Sequence, residues 1–87
     1  MDIELQVAVK DAHKESIYHR DSLRNSKFCG CFYCLEIFDY KNIEYWTDDG
    51  DTALCPSCDI DSVIGDDSGY PITKEFLGAM RKVWFDD

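Results

Sequence analysis

No stretch of this 87-residue sequence approaches the roughly 18 consecutive apolar residues of a membrane-spanning helix. A helical membrane protein is therefore not expected, and the chain is read as soluble and cytoplasmic. Residues 1–25 lack the charged, then apolar, then small-residue plan of a secretory leader. The cysteine count is odd at five, which with the missing leader speaks against a secreted disulfide scaffold. Positive charge is scarce as well, with 9 Lys and Arg against 18 Asp and Glu and a formal net charge of −9.

That deficit is confined to one region. Residues 1–34 and 71–87 are each balanced in charge, whereas Glu36, Asp39, Glu44, Asp48, Asp49, Asp51, Asp59, Asp61, Asp66 and Asp67 face only Lys41 between 35 and 70. Such a surface repels phosphates, while a nucleic-acid-binding module presents clustered Lys and Arg. Direct nucleic-acid binding is not expected.

What the chain does have is thiols in pairs. Cys31-Phe32-Tyr33-Cys34 and Cys55-Pro56-Ser57-Cys58 are two Cys-x2-Cys knuckles with twenty residues between them. That spacing suits one tetrahedral four-sulfur site, and Cys31, Cys34, Cys55 and Cys58 are the expected ligands of one structural zinc. Cys29 is left as a spare thiol. A chain this short buries only about 60–65% of its unfolded surface, so a metal staple has energetic work to do. Zinc binding contributes roughly 10–16 kcal/mol in finger peptides, against a folding stability of about 5–15 kcal/mol.

The rest reads as one α+β domain, 1–87, with a ribbon-like core over about 29–65. Ile3, Leu5, Val7 and Val9 alternate with Asp2, Glu4, Gln6 and Ala8, which predicts a strand over 3–9. Lys10 to Arg24 contains neither glycine nor proline and predicts a helix, with a break near Ser16 because its apolar stripe is thin. His13 and His19 point about 240° apart on such a helix and cannot chelate one ion together; exposure or a local hydrogen bond is expected for each. His13-Lys14-Glu15 has the His-x-Glu order of zinc deaminases, but the Pro-Cys-x-x-Cys partner is missing, since Pro56 follows Cys55.

Further on, Asp39 is placed to cap a helical turn over 38–43. Ile43–Thr47 and Thr52–Cys55 flank Asp48-Asp49-Gly50-Asp51, the pattern of a hairpin with a positive-φ turn. Val63 and Ile64 form a short apolar plug, and Asp61, Ser62, Asp66 and Ser68 read as turn formers rather than a polar site. The clearest helix spans about 73–85, with Thr73 as N-cap, Ile72 stapled against Leu77, and Phe76, Leu77, Met80, Val83 and Trp84 on one face. Gly78 within it suggests close packing against the ribbon.

Cys31-Phe-Tyr-Cys34, Trp46–Gly50, Thr52-Ala-Leu-Cys55-Pro-Ser-Cys58, Ile60–Gly65 and Gly69–Thr73 together resemble a group of small uncharacterised bacterial and phage cytoplasmic proteins. The resemblance implies that origin and a zinc-ribbon-like core, and no reaction. The knuckles resemble those of zinc ribbons and rubredoxins, with one departure. Leu35 and Asp59 stand where glycine commonly follows the second cysteine, so the first knuckle is expected to be less regular.

The functional expectation is a non-enzymatic zinc protein presenting an acidic surface, with Asp48, Asp49 and Asp51 at the hairpin tip, to a protein partner with a basic surface. An inhibitor of a nucleic-acid-binding protein, of the immunity or anti-defence kind, is the specific form. A rubredoxin-like redox protein and a nucleic-acid-binding ribbon are the alternatives.

Overall fold

The computed structural model describes residues 3–85. Its elements follow in chain order as α1 (Ile3–Ala12), a 3₁₀ turn (His13–Ser16), α2 (Arg20–Arg24), β1 (Cys29–Cys31), β2 (Ile37–Phe38), a 3₁₀ turn (Tyr40–Asn42), β3 (Trp46–Thr47), β4 (Thr52–Ala53), β5 (Val63–Gly65), a 3₁₀ turn (Asp66–Ser68) and α3 (Lys74–Trp84). Two small antiparallel sheets with helices at both ends make this an α+β chain. Among the described residues no helix is long and apolar enough to cross a membrane.

The strand expected over 3–9 is instead the helix α1. Alternation would put Val7 and Val9 on one face, but Val9 is fully buried and Val7 is 62% exposed. Val9 and Ala12, three residues apart, are the pair that faces the core, as a helix requires. The indole Nε1 of Trp84 donates to the Val9 carbonyl at 3.1 Å, tying α3 to the last turn of α1.

The expected break near Ser16 is present. Tyr18 turns the chain with φ +50°, a costly value for a residue with a bulky side chain. Long-range bonds fix the corner: the Tyr18 amide donates to Thr52 Oγ1 at 2.9 Å and the His19 amide to the Asp51 carbonyl at 2.7 Å. Asp11 pairs with Lys14 and Asp21 with Arg24 as helical neighbours. Glu15 and His19 meet differently, through the Glu15 backbone carbonyl.

The three-stranded sheet, in the order β2-β1-β5, divides the interior into two layers. Alternation along β1 and β5 sends neighbouring residues to opposite sides. Ile64 joins Val9, Ala12, Phe32, Phe76, Leu77, Ala79 and Met80 in a core under α1 and α3. Cys29, Cys31 and Val63 face the other way, into a core with Leu23, Ile43, Ala53 and Cys55. Val63 and Ile64 are therefore strand residues, more than the isolated plug their composition suggested.

Gly30 lies between Cys29 and Cys31 and must face the helices. A Cβ there would sit 2.7 Å from Leu77 Cδ1 and 2.9 Å from Ile72 Cγ2. Gly78, by contrast, has ordinary space: an added Cβ would meet Leu35 Cδ1 at 3.8 Å. The close approach of α3 is thus made on glycine of the sheet, and the expectation for Gly78 is corrected. Thr73 caps α3 as expected, its hydroxyl accepting from the Phe76 amide at 3.1 Å.

Candidate metal centre

Each knuckle is built from backbone hydrogen bonds that recur at the same spacing. The Leu35 amide donates to the Cys31 carbonyl and the Asp59 amide to the Cys55 carbonyl, both at 2.9 Å. The Cys31 amide reaches the Glu36 carbonyl and the Cys55 amide the Ile60 carbonyl, both at 3.0 Å. Closing these rings demands left-handed backbone just after the second cysteine, and Leu35 and Asp59 supply it with φ of +65° and +62°. The first knuckle is therefore as regular as the second, contrary to the expectation from Leu35. Leucine adopts the unfavourable φ because its side chain packs against the α1/α3 core. In the second knuckle Pro56 presets φ at the first corner of the turn.

The turns aim amides at sulfur. Cys31 Sγ accepts from the Tyr33 and Cys34 amides at 3.3 and 3.4 Å, and Cys55 Sγ from the Ser57 amide at 3.4 Å. A third donor reaches Cys31: the hydroxyl of buried Ser62 lies 3.0 Å from its sulfur. β5 pairs antiparallel with β1 and the hairpin β3–β4 delivers Cys55 and Cys58, so the two knuckles meet face to face.

The four sulfurs of Cys31, Cys34, Cys55 and Cys58 all lie within 4.8 Å of one another. Cys31 Sγ is 3.6 Å from Cys58 Sγ, and Cys34 Sγ is 3.5 Å from Cys55 Sγ. A disulfide would bring sulfurs to about 2.05 Å, whereas Zn–S bonds of about 2.3 Å in a tetrahedron set the S–S edge at about 3.8 Å. The closest approaches match the metal geometry, and the two of them run between knuckles. Cys31 and Cys55 are buried, while Cys34 and Cys58 are partly exposed.

Electrostatics make the same point. Burial pushes the Cys31 thiol up, but the hydrogen bonds from Ser62 and then the Cys34 and Tyr33 amides bring it below the ordinary range. Burial raises Cys55, and raises Cys58 to about 11, with the charge on Cys31 adding to both. Four thiolates this close would repel one another, and a cation at their centre would offset that repulsion. The donor set is soft, four-coordinate and closed, which fits zinc or a similar thiophilic ion.

Cys29 sits on β1 but outside this group. It is fully buried with its sulfur 3.9 Å from the Leu23 carbonyl, and burial, then the charges of Asp66 and Asp39, raise its thiol to about 12. Set against family models, curated proteins and solved structures, the chain matches none, so the four-cysteine geometry itself carries the reading of a metal site.

Asp48, Asp49 and Asp51 are exposed at the hairpin tip, where Asp48, Asp49 and Gly50 have φ of +53°, +59° and +88°. The Asp48 carboxylate accepts from the Thr52 hydroxyl at 2.8 Å. A cation absent from this part of the sequence joins them: Arg20 donates to the Gly50 carbonyl at 2.7 Å and lies 4.3 Å over the Trp46 ring. The tip thus carries three carboxylates beside one guanidinium. Asp39 and Asp66 are committed to structure, Asp39 capping its 3₁₀ turn and Asp66 accepting from the Lys27 amide at 2.8 Å.

Two residues mattered more than their sequence context suggested. Ser62 is one. The other is His19, only 3% exposed, which donates from Nδ1 to the Glu15 carbonyl at 2.7 Å and accepts at Nε2 from the Ala53 amide at 2.9 Å. The local bond forms across the break in the helix at Ile17 and Tyr18, and the bond to β4 depends on the fold.

Proposed function

We propose that this chain is a non-enzymatic structural-zinc protein, in which one zinc bound by Cys31, Cys34, Cys55 and Cys58 joins two knuckles and holds an acidic face toward a protein partner. The observation that carries the metal reading is the pair of matching knuckles whose four sulfurs converge within 4.8 Å. Four protein thiolates complete a tetrahedral shell, which is the closed arrangement of structural zinc and leaves no position for substrate. Metal and fold are coupled on this reading, because the ligands come from two knuckles far apart in the chain, and their pairing through the sheets and shared core is reinforced by a common ion.

Metal analysis of the purified chain is expected to give one zinc per molecule, and Cys55→Ser is expected to lose both the zinc and the cooperative unfolding transition. Full zinc content in Cys55→Ser refutes the ligand assignment. Stoichiometric iron with visible sulfur-to-metal charge transfer moves the protein to the rubredoxin-like redox class.

The surface role rests on charge alone. Ten acids against one lysine between 35 and 70 favour a basic partner, such as a nucleic-acid-binding protein whose groove an immunity or anti-defence factor would occupy. A basic protein recovered on the immobilised chain should associate more slowly with an Asp48→Asn, Asp49→Asn, Asp51→Asn variant, and its association should weaken as salt rises. Unchanged association rate and salt dependence refute the acidic tip as the contact.

A further inference from the structure

We propose that Ser62 is a positioning residue for the metal: its hydroxyl donates a hydrogen bond to the Cys31 thiolate and so fixes that ligand's orientation and its donor strength toward the ion. The inference rests on the metal reading above and adds a residue outside the two knuckles to the site.

Three observations place the hydroxyl in this role. Ser62 is 1% exposed, and its Oγ lies 3.0 Å from Cys31 Sγ, closer than the amides of Tyr33 and Cys34 at 3.3 and 3.4 Å. A buried hydroxyl needs an acceptor, and a metal-bound thiolate is acceptor only, so the proton lies on the oxygen. The backbone of Ser62 is also fixed independently. Its carbonyl accepts from the Phe32 amide at 2.9 Å, and the next residue, Val63, is in register with Cys31 across β1 and β5. The hydroxyl is therefore held at the sulfur before any ion binds, and little side-chain freedom is lost when it does.

The placement has a topological consequence. Ser62 lies four residues beyond Cys58, on the segment that leaves the second knuckle, yet it bonds to the first cysteine of the first knuckle. One hydroxyl thus links the exit of one ligand pair to the sulfur of the other. It also makes the centre unequal: Cys31 accepts from a hydroxyl and two amides, while Cys55 accepts from the Ser57 amide. Partners of metal ligands of this kind typically alter metal affinity 10–100-fold when removed.

The test compares Ser62→Ala with wild type and with the pair Ser62→Thr and Ser62→Val, which have nearly the same shape and differ in the hydroxyl. Zinc affinity is measured by competition with a chromophoric chelator, and the cobalt(II)-loaded proteins are examined by absorption spectroscopy. Loss of the donor removes the group that orients and stabilises the thiolate, so Ser62→Ala and Ser62→Val are expected to bind zinc 10–100-fold more weakly; it also leaves the sulfur richer in electron density, which shifts the sulfur-to-cobalt charge-transfer bands to lower energy. Ser62→Thr should keep the wild-type band positions. Unchanged affinity and band energy in Ser62→Ala overturn the inference. Weaker binding with unmoved bands also overturns it, since that is the signature of packing alone. If Ser62→Ala does not fold, the Thr and Val pair decides, and equal band energies in those two overturn the proposal. A wild-type chain that binds neither zinc nor cobalt refutes the metal reading itself, an outcome distinct from any of these.

Discussion

Adding one methyl group to two glycines should move stability in opposite directions, because the two lie on opposite sides of the α3 packing. Gly78 is inside α3, where glycine is about 0.8–1 kcal/mol worse than alanine. The new Cβ would stand 3.8 Å from Leu35 Cδ1, an ordinary contact that adds a little dispersion energy. Gly78→Ala is therefore expected to stabilise by about 1 kcal/mol, which raises Tm by roughly 4–8 °C in a chain of this size. Gly30 is in β1, and its Cβ would stand 2.7 Å from Leu77 Cδ1 and 2.9 Å from Ile72 Cγ2. Leu77 is fully buried and has little room to withdraw, so Gly30→Ala is expected to cost about 1–3 kcal/mol as overpacking. Both variants are compared with wild type in urea and thermal unfolding, at one buffered excess of zinc so that binding contributes equally. Zinc content should be unchanged in both, since neither methyl points toward sulfur. A stabilised Gly30→Ala, or a destabilised Gly78→Ala, would refute the assignment of the helices to one face of the sheet and the cysteines to the other.

Asp59→Gly should stabilise the second knuckle by about 0.5–1 kcal/mol, because Asp59 is exposed with φ +62° and glycine adopts that conformation without steric cost. Leu35→Gly should be destabilising despite the same relief, since Leu35 packs against the helical core; urea midpoints check both. Cys29→Ser should keep a full complement of zinc and lose about 1 kcal/mol or so of stability, because its sulfur contacts the Leu23 carbonyl rather than the other four thiols; loss of zinc would exchange Cys29 into the ligand set. His19, whose burial lowers its pKa below the ordinary histidine value, takes up its proton in the unfolded chain first. Stability should therefore fall as pH drops below about 6.5, by at most about 1.4 kcal/mol per pH unit for one proton, and His19→Gln should remove that increment when zinc content is held constant.

The cluster of four cysteines was the most legible part of the chain, because a Cys-x2-Cys knuckle is a local object whose ligand spacing is written in four consecutive residues. Asp39, Thr73 and the Asp-Gly tip were legible for the same reason: each cap or turn acts within about three residues. What sequence pattern missed depends on partners far along the chain. The alternation from Ile3 to Val9 is compatible with a strand, yet Val9 and Ala12 together fit a helical face, and packing against α3 decides between them. Leu35 was read by its intrinsic preference, whereas its burial against α3 outweighs that preference. Gly78 drew the packing argument that belongs to Gly30, since a glycine in a helix is conspicuous and one beside cysteines is not. His19 and Ser62 each owe their significance to an atom more than thirty residues away.

The first knuckle belongs to both layers of the molecule, and this links the metal to the helices. Cys31 faces the sulfur cluster, while the next residue, Phe32, is buried in the core beneath α1 and α3. Phe32 is also fastened to the residue just before β5, since its amide donates to the Ser62 carbonyl at 2.9 Å. Movement of Cys31 away from an ion would thus pull on the aromatic ring that the helices pack against and on Ser62, whose hydroxyl lies at its sulfur. The second knuckle has no such anchor in the helical core; Cys55 packs with Ala53 and Ile43 on the hairpin side. Removal of zinc is accordingly expected to loosen the hairpin and second knuckle first. In amide hydrogen exchange of the chelator-treated protein, Leu54, Cys55 and Asp59 should lose protection before Phe32 and Leu77 do. The reverse order would show that the helices depend on the metal more directly than the shared knuckle allows.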